Sequence, residues 1–211
     1  MSPSPVQPFH VTNHSSYQSS ADKCSEIGKL SLITYNVKNL KSNYVCINNL
    51  LNSHDFILIQ EHWLFKFEEK LFSQFNSNIA YHAKYVDDSD PIPPIQKPRG
   101  FAGTAILWKK NSEYKVTKLP DGDHRITCIE IDTNPTPVLL LCVYMPSKGS
   151  KIRDNAYDET LDQIGHIIVK YTSSHNIICA GDWNATLLQA STQDARDRKL
   201  KEFLYEYNLT L

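Results

Sequence analysis

Five polar residues stand at the ends of apolar runs: Asn36, Glu61, Tyr144, Asp182 and Asn184. The densest stretch is N-I-I-C-A-G-D-W-N at 176–184, where four apolar residues lead through Gly181 to Asp182 and Asn184. A short apolar run bounded by punctuation fits a fully buried strand. Asp182 and Asn184 are two apart, so an extended backbone turns both to one side. A carboxylate and an amide side by side at a strand end suit phosphoryl chemistry, one orienting a water and the other holding an oxyanion. On the tetrapeptide alone, the turn-forming habit of Asp and Asn is the stronger account. The set changes that balance: two acids, two amides and a phenol each close an expected strand. Glu61 and Asp182 are hard oxygen ligands, better suited to magnesium or manganese than to zinc.

The elements that must deliver these residues are readable from periodicity. Residues 30–35 alternate as a strand, 42–52 have helical spacing, and D-F-I-L-I-Q at 55–60 is apolar enough for burial on both faces. Strand, helix and strand with short connections imply neighbouring strands in a layered sheet. The spacing predicts a helix over 65–75 and a strand over 79–86. Pro91, Pro93, Pro94 and Pro98 make 87–100 a loop. Strands over 103–108, 114–119, 126–132 and 138–144 follow, separated by turn-rich segments and expected as an antiparallel meander. The strongest amphipathic helix spans 154–171, and another spans 196–207. The expected fold class is α/β (α+β), strands of mixed direction with helices outside. Residues 1–28, rich in Ser, Pro, Gln and Asn, read as a disordered leader before one domain over 29–211.

Composition bounds the reading. At 211 residues the chain fits one sizeable domain, and 41% hydrophobic with 21% charged residues is ordinary for a globular protein. A formal net charge of -1 supplies no global basic field, so a nucleic-acid partner must be met by a local patch. No run is long enough to cross a bilayer, and residues 1–22 lack the apolar core of a secretory signal. Five cysteines without a C-x-x-C pair, four of them in apolar runs, read as buried free thiols in a reducing compartment. The histidines lack metal-ligand spacing.

Six segments in order carry a family resemblance: T-Y-N-V-K-N-L at 34–40, Q-E-H-W-L at 60–64, R-G-F-A-G-T-A-I-L-W at 99–108, D-H-R-I at 123–126, V-Y-M-P-S at 143–147 and G-D-W-N at 181–184. The chain resembles the endonuclease/exonuclease/phosphatase superfamily, and within it the apurinic-type endonuclease domain of non-LTR (LINE-type) retrotransposons. The resemblance implies a four-layer αββα sandwich that hydrolyses phosphodiesters with Mg2+ or Mn2+. It implies Glu61 as the metal ligand with Asn36 beside it, Asp182 orienting and deprotonating the attacking water, and Asn184 and Tyr144 contacting the scissile phosphate. It further implies DNA as substrate, nicking for target-primed reverse transcription, action in the nucleus, and element RNA or a reverse transcriptase as partners of a longer relative.

The family pattern is departed from in places. The Ser-Asp-His segment that ends such domains is absent, which gives the expectation of a sandwich lacking its last strands, truncated and weak or inactive. Lys38 stands where nucleases carry an acid, and Phe101-Ala102-Gly103 replaces a tighter Gly-Gly. Plainer roles compete. Asn36 also fits a turn cap, and Tyr144 a buried phenol bonded to backbone. His62 is expected to be structural, Trp63 and Trp108 to be core, and Arg125 to pair with an acid inside the sandwich. Lys148, Lys151 and Arg153 fit solvated loop charges better than DNA contacts. Two functional alternatives stand beside the endonuclease: a catalytically dead binding or interaction fragment, and another phosphoesterase of the same fold.

Overall fold

β3 (Phe56–Gln60) is buried along its whole length because it is covered on both faces. Ile57 and Ile59 pack outward against Ile47 and Leu51 of α1 (Leu40–Ser53) and Phe72 of α2 (Leu71–Phe75). Phe56 and Leu58 point the other way, into a second layer of Ile129, Leu140 and Cys142. The alternation follows from the two-residue period of a strand. The computed structural model describes residues 11–12, 30–147, 155–187 and 194–210.

The first sheet has the order β2-β3-β5-β4, with β2 (Leu32–Asn36), β4 (Ile79–Lys84) and β5 (Thr104–Lys109) around β3. β2 and β3 are parallel, joined by α1 as a crossover, and β5 is antiparallel to both β3 and β4. The second sheet has the order β1-β9-β8-β7-β6, with β1 (Val11–Thr12), β6 (Lys115–Lys118), β7 (Ile126–Asp132), β8 (Val138–Tyr144) and β9 (Asn176–Asp182). Its β8 and β9 are parallel, linked by α3 (Ala156–Tyr171). The outer face of this sheet is covered by Ile164 and Ile168 of α3 and by Leu200 and Phe203 of α4 (Ala195–Glu206). Three apolar clusters therefore lie between four layers, helix, sheet, sheet, helix.

Three expectations need correction. The four-strand meander is three strands, β6-β7-β8; β5 belongs to the other sheet, where it pairs antiparallel with β3 and β4, Ala105 and Leu107 facing outward and Ile106 and Trp108 inward. The helix over 65–75 breaks into a 3-10 turn at Lys66–Glu68 and α2. There the Lys66 N–H donates to the Asp87 carboxylate at 2.8 Å and the Phe65 N–H to Glu68 at 3.2 Å, bonds that hold a turn. Val11–Thr12 pairs antiparallel with Cys179 and Ile178 at the edge of β9; the rest of the expected leader, and all else of 1–29, lies outside the described residues. Cys46 is exposed on α1, whereas Cys128, Cys142 and Cys179 are buried free thiols. Burial pushes Cys142 and Cys179 up to about 12, so both remain protonated. Cys24 and the cluster Lys148, Lys151 and Arg153 lie outside the described residues. No helix among the described residues is long and apolar enough to cross a membrane.

Candidate active site

Both parallel strand pairs end at the same end of the sandwich. Register places Asn36 opposite Gln60 in one sheet and Tyr144 opposite Asp182 in the other. Packing of β2 and β3 against β8 and β9 then brings the four C-terminal ends together. The Asn36 amide joins them. Its Nδ2 donates to Glu61 Oε1 at 2.8 Å and to Asp182 Oδ2 at 2.9 Å, so one side chain bridges two carboxylates from different sheets. Asn36 is thus no simple turn cap. The sequence-expected residues Asn36, Glu61, Tyr144 and Asp182 converge, with the Tyr144 phenol close enough to feel the charges of Glu61 and Asp182. Burial, and next the Glu61 charge, raise its pKa well above the usual phenol value, so it stays protonated. Asn184 lies beside them, its backbone N–H on Asp182 Oδ1 at 3.1 Å and its Nδ2 on the Met145 carbonyl at 2.7 Å.

The turn that presents Glu61 is unusual. Glu61 and Trp63 both take positive φ, 57° and 60°, with His62 between them fully buried. His62 Nδ1 accepts the Leu64 N–H at 3.0 Å, which leaves the proton on Nε2, 3.0 Å from the Lys84 carbonyl. Burial lowers its pKa to about 4, so the ring is neutral. The structural role expected for His62 is the role it has. Gly103, at φ +84°, lies against this ring; a Cβ there would come within 2.3 Å of His62 Cε1. Phe101-Ala102-Gly103 therefore still supplies the glycine that the turn requires.

Trp63 and Arg125 depart from expectation. Trp63 is only partly buried at the cleft, where Nε1 donates to Glu61 Oε2 at 3.1 Å and the Arg99 guanidinium lies 5.5 Å above its ring. Trp108 is core, 7% exposed. Arg125 is 9% exposed, yet no carboxylate of the described residues lies within ion-pair distance of it. Its guanidinium makes a long 3.4 Å bond to the Tyr144 carbonyl and stands 5.5 Å over the Tyr144 ring. A buried guanidinium with most donors unspent is costly unless an anion completes it, and burial indeed lowers its pKa. It lines a cleft of about 300 Å³ with Glu61, Trp63, Arg99, Phe101 and Tyr144. Arg125 and Trp63 are the site residues that sequence reasoning misassigned. Nothing in D-H-R-I or Q-E-H-W-L distinguishes a core side chain from a cleft wall.

The loop carrying Arg99 is tied down from two sides. Glu68 accepts from Lys41 of α1 and from Lys97, each at 2.5 Å. Asp87, 2% exposed, accepts the N–H of Lys66 and, at 3.2 Å, that of Ile92. Lys38 is exposed at the rim, its N–H on Asn36 Oδ1 at 3.3 Å.

No cluster of three or more His, Cys, Asp or Glu in metal-ligating geometry exists among the described residues. Glu61 and Asp182 nevertheless fit magnesium, which takes one or two carboxylates and completes its shell with water and substrate phosphate. Each carboxylate oxygen has a lone pair beyond its hydrogen bond to Asn36, Trp63 or the Asn184 N–H.

The sequence model of the Endonuclease/Exonuclease/phosphatase family matches residues 33–207. The chain belongs to that family. Its fold, a phosphodiesterase and nuclease type, is also that of solved structures at low identity. The endonuclease domain of TRAS1, a telomere-specific non-LTR retrotransposon, superposes with TM-score 0.59 at 18% identity, covering 85% of this chain and 71% of that one. An AP endonuclease, LMAP from Leishmania major, gives TM-score 0.64 at 16% identity over 85% and 67%. The 3' phosphatase NExo from Neisseria, solved bound to a product DNA hairpin, gives 0.58 at 14% over 85% and 71%. No curated protein matches the chain in sequence.

Proposed function

We propose that the chain is a magnesium- or manganese-dependent endonuclease that nicks DNA, in the manner of the domain that opens target DNA for non-LTR retrotransposition. The observation that carries this reading is the Asn36 bridge, which ties Asp182 to Glu61, and Glu61 lines a cleft together with the buried Arg125. The metal, when bound by Glu61 with Asn36 or Asp182 alongside, supplies Lewis-acid neutralisation of the phosphate oxygens. The protein's own groups do the rest. Asp182, oriented by Asn36 and the Asn184 N–H, accepts the proton of the attacking water. Tyr144, kept protonated, donates to a phosphate oxygen. Arg125 offers its N–H groups to the same phosphate, charge-assisted bonds in a water-poor cleft. Asn184 has one amide N–H left after its bond to Met145 and directs it to the scissile group. Arg125 is the buried cation of this cleft, which no histidine lines among the described residues. The six retrotransposon-type segments support a DNA substrate, nuclear action and element RNA or a reverse transcriptase as partners of a longer protein.

Nicking of supercoiled plasmid by the purified chain with magnesium tests this, with Glu61→Ala and Asp182→Ala alongside. Wild-type nicking lost in both variants is the expected result. If wild type is silent but binds DNA, the reading of a catalytically dead binding fragment replaces it. If wild type leaves DNA intact and cleaves a phospholipid or inositol phosphate, another phosphoesterase of this fold replaces it.

A further inference from the structure

The cleft at Glu61 does not end at Arg125. A second cavity of about 360 Å³, lined by Phe101, Asp123, His124, Arg125, Glu159, Thr160 and Gln163 among others, shares Phe101 and Arg125 with the first. The two form one trough with a guanidinium at the junction and an aromatic ring at the lip. Phe101 is 53% exposed, one of few large apolar side chains left in water.

We infer that this second cavity is a subsite for the base of the nucleotide next to the scissile phosphate, taken as an unpaired base stacked on Phe101. The inference rests on the phosphodiesterase reading of the Glu61 cleft. Charge decides between base and backbone as the occupant. Beyond Arg125 the wall carries the carboxylates Asp123 and Glu159, which repel a second phosphate. His124 brings no charge there, because burial lowers its pKa below the ordinary histidine value. A neutral base avoids that repulsion and gains an aromatic face, an interaction tolerant of sequence because every base has a π-face. Size points the same way. A cavity of about 360 Å³ is at the small end of ligand sites and has room for one nucleoside. The Gln163 amide is the donor and acceptor available to a base edge. Substrates with an unpaired base beside the cleavage point, such as melted or negatively supercoiled DNA, are thus favoured over relaxed duplex.

The test uses the full chain with oligonucleotides carrying 2-aminopurine, whose fluorescence is quenched by stacking, and repeats plasmid nicking with Phe101→Ala and Phe101→Tyr. The expected result is quenching of a single-stranded probe by wild type and Phe101→Tyr, lost in Phe101→Ala together with about tenfold or more of the nicking rate. Phe101 is exposed, so its truncation leaves the three apolar clusters intact; thermal melts of each variant check this. Equal quenching and equal nicking by Phe101→Ala overturn the subsite while the nuclease reading stands. Phe101-dependent quenching without any nicking keeps the subsite and removes the nuclease.

Discussion

Replacing Gly103 with alanine drives a methyl group into the His62 ring, 2.3 Å from Cε1 and 2.4 Å from Nε2. The ring has nowhere to go. It is fully buried, edge-on to Phe72 at 5.7 Å and to Tyr85 at 5.3 Å, and hydrogen-bonded at both nitrogens. Three costs add. An L-residue at φ +84° costs about 1–2 kcal/mol, overpacking a closed core about 1–3 kcal/mol, and one displaced hydrogen bond about 1 kcal/mol. The sum is roughly 3–6 kcal/mol, part of which relaxation recovers. At about 2–4 °C per kcal/mol for a domain of this size, Gly103→Ala should melt at least about 6 °C below wild type. Because His62 sits between Glu61 and Trp63, the folded fraction should also need more magnesium to nick plasmid. Calorimetry at neutral pH reads the first effect, and a magnesium titration of the nicking rate reads the second. A variant that melts within about 2 °C of wild type would falsify the claim that Gly103 is fixed by the His62 ring.

Three further outcomes follow from the same geometry. His62 has its pKa lowered to about 4 by burial against 6.5 unfolded, so the unfolded chain binds the extra proton first. Stability should be full above about pH 6.5 and fall by about 3 kcal/mol as pH drops to 4; His82 and His124, also lowered by burial, act in the same direction, so the His62 share is read as the flattening of the curve in His62→Gln. Tyr144→Phe removes the hydroxyl beside Glu61 and should cut nicking by about 10²-fold, while the wild-type rate should show no Tyr144 ionisation through pH 10 because that phenol is held protonated; a tyrosine-like alkaline limb in the pH–rate profile counts against this. Trp63→Phe keeps the ring but removes the 3.1 Å donor to Glu61, so metal affinity measured with manganese by electron paramagnetic resonance should weaken about tenfold, and an unchanged affinity sinks the positioning role.

The layers were legible because burial writes itself into periodicity. F-I-L-I-Q is apolar on both faces and lies between two layers; β7 and β8 run over 126–132 and 138–144 as read. What the sequence hid was partnership. β5 has the same look as the strands that follow it, buried on both faces like β8, and only its long-range ladders with β3 and β4 assign it to the first sheet. Likewise the 65–75 helix fails through two side-chain bonds, from Asp87 and Glu68, that no local pattern contains. At the site, the chemical types were readable and the environments were not. Tyr144 and Asp182 stand at strand ends in the sequence, but the charge state of Tyr144 and the burial of Arg125 depend on what packs around them.

Backbone strain supplies the last argument. Among the described residues, seven non-glycine positions have positive φ: Lys38, Asn39, Glu61, Trp63, Ala102, Asn184 and Asn208. Six of them lie in the segments that follow β2, β3 and β9 or lead into β5, at the end of the sandwich where Asn36 joins Glu61 to Asp182. Only Asn208 is elsewhere, in the ordinary left-handed stop after α4. Asparagine accepts this conformation readily, but Lys38, Glu61, Trp63 and Ala102 do so at about 1–3 kcal/mol each. Such a cost persists only where surrounding bonds over-determine the backbone. Here they do: the Val37 N–H donates to Gln60, Asn39 to Glu61, and Trp63 to Ala102, at 2.9, 2.9 and 3.0 Å. A sandwich built for stability alone has no reason to gather its strain at one end. The proposed nuclease, which has to hold two carboxylates, a phenol and a guanidinium around one phosphate, would have such a reason.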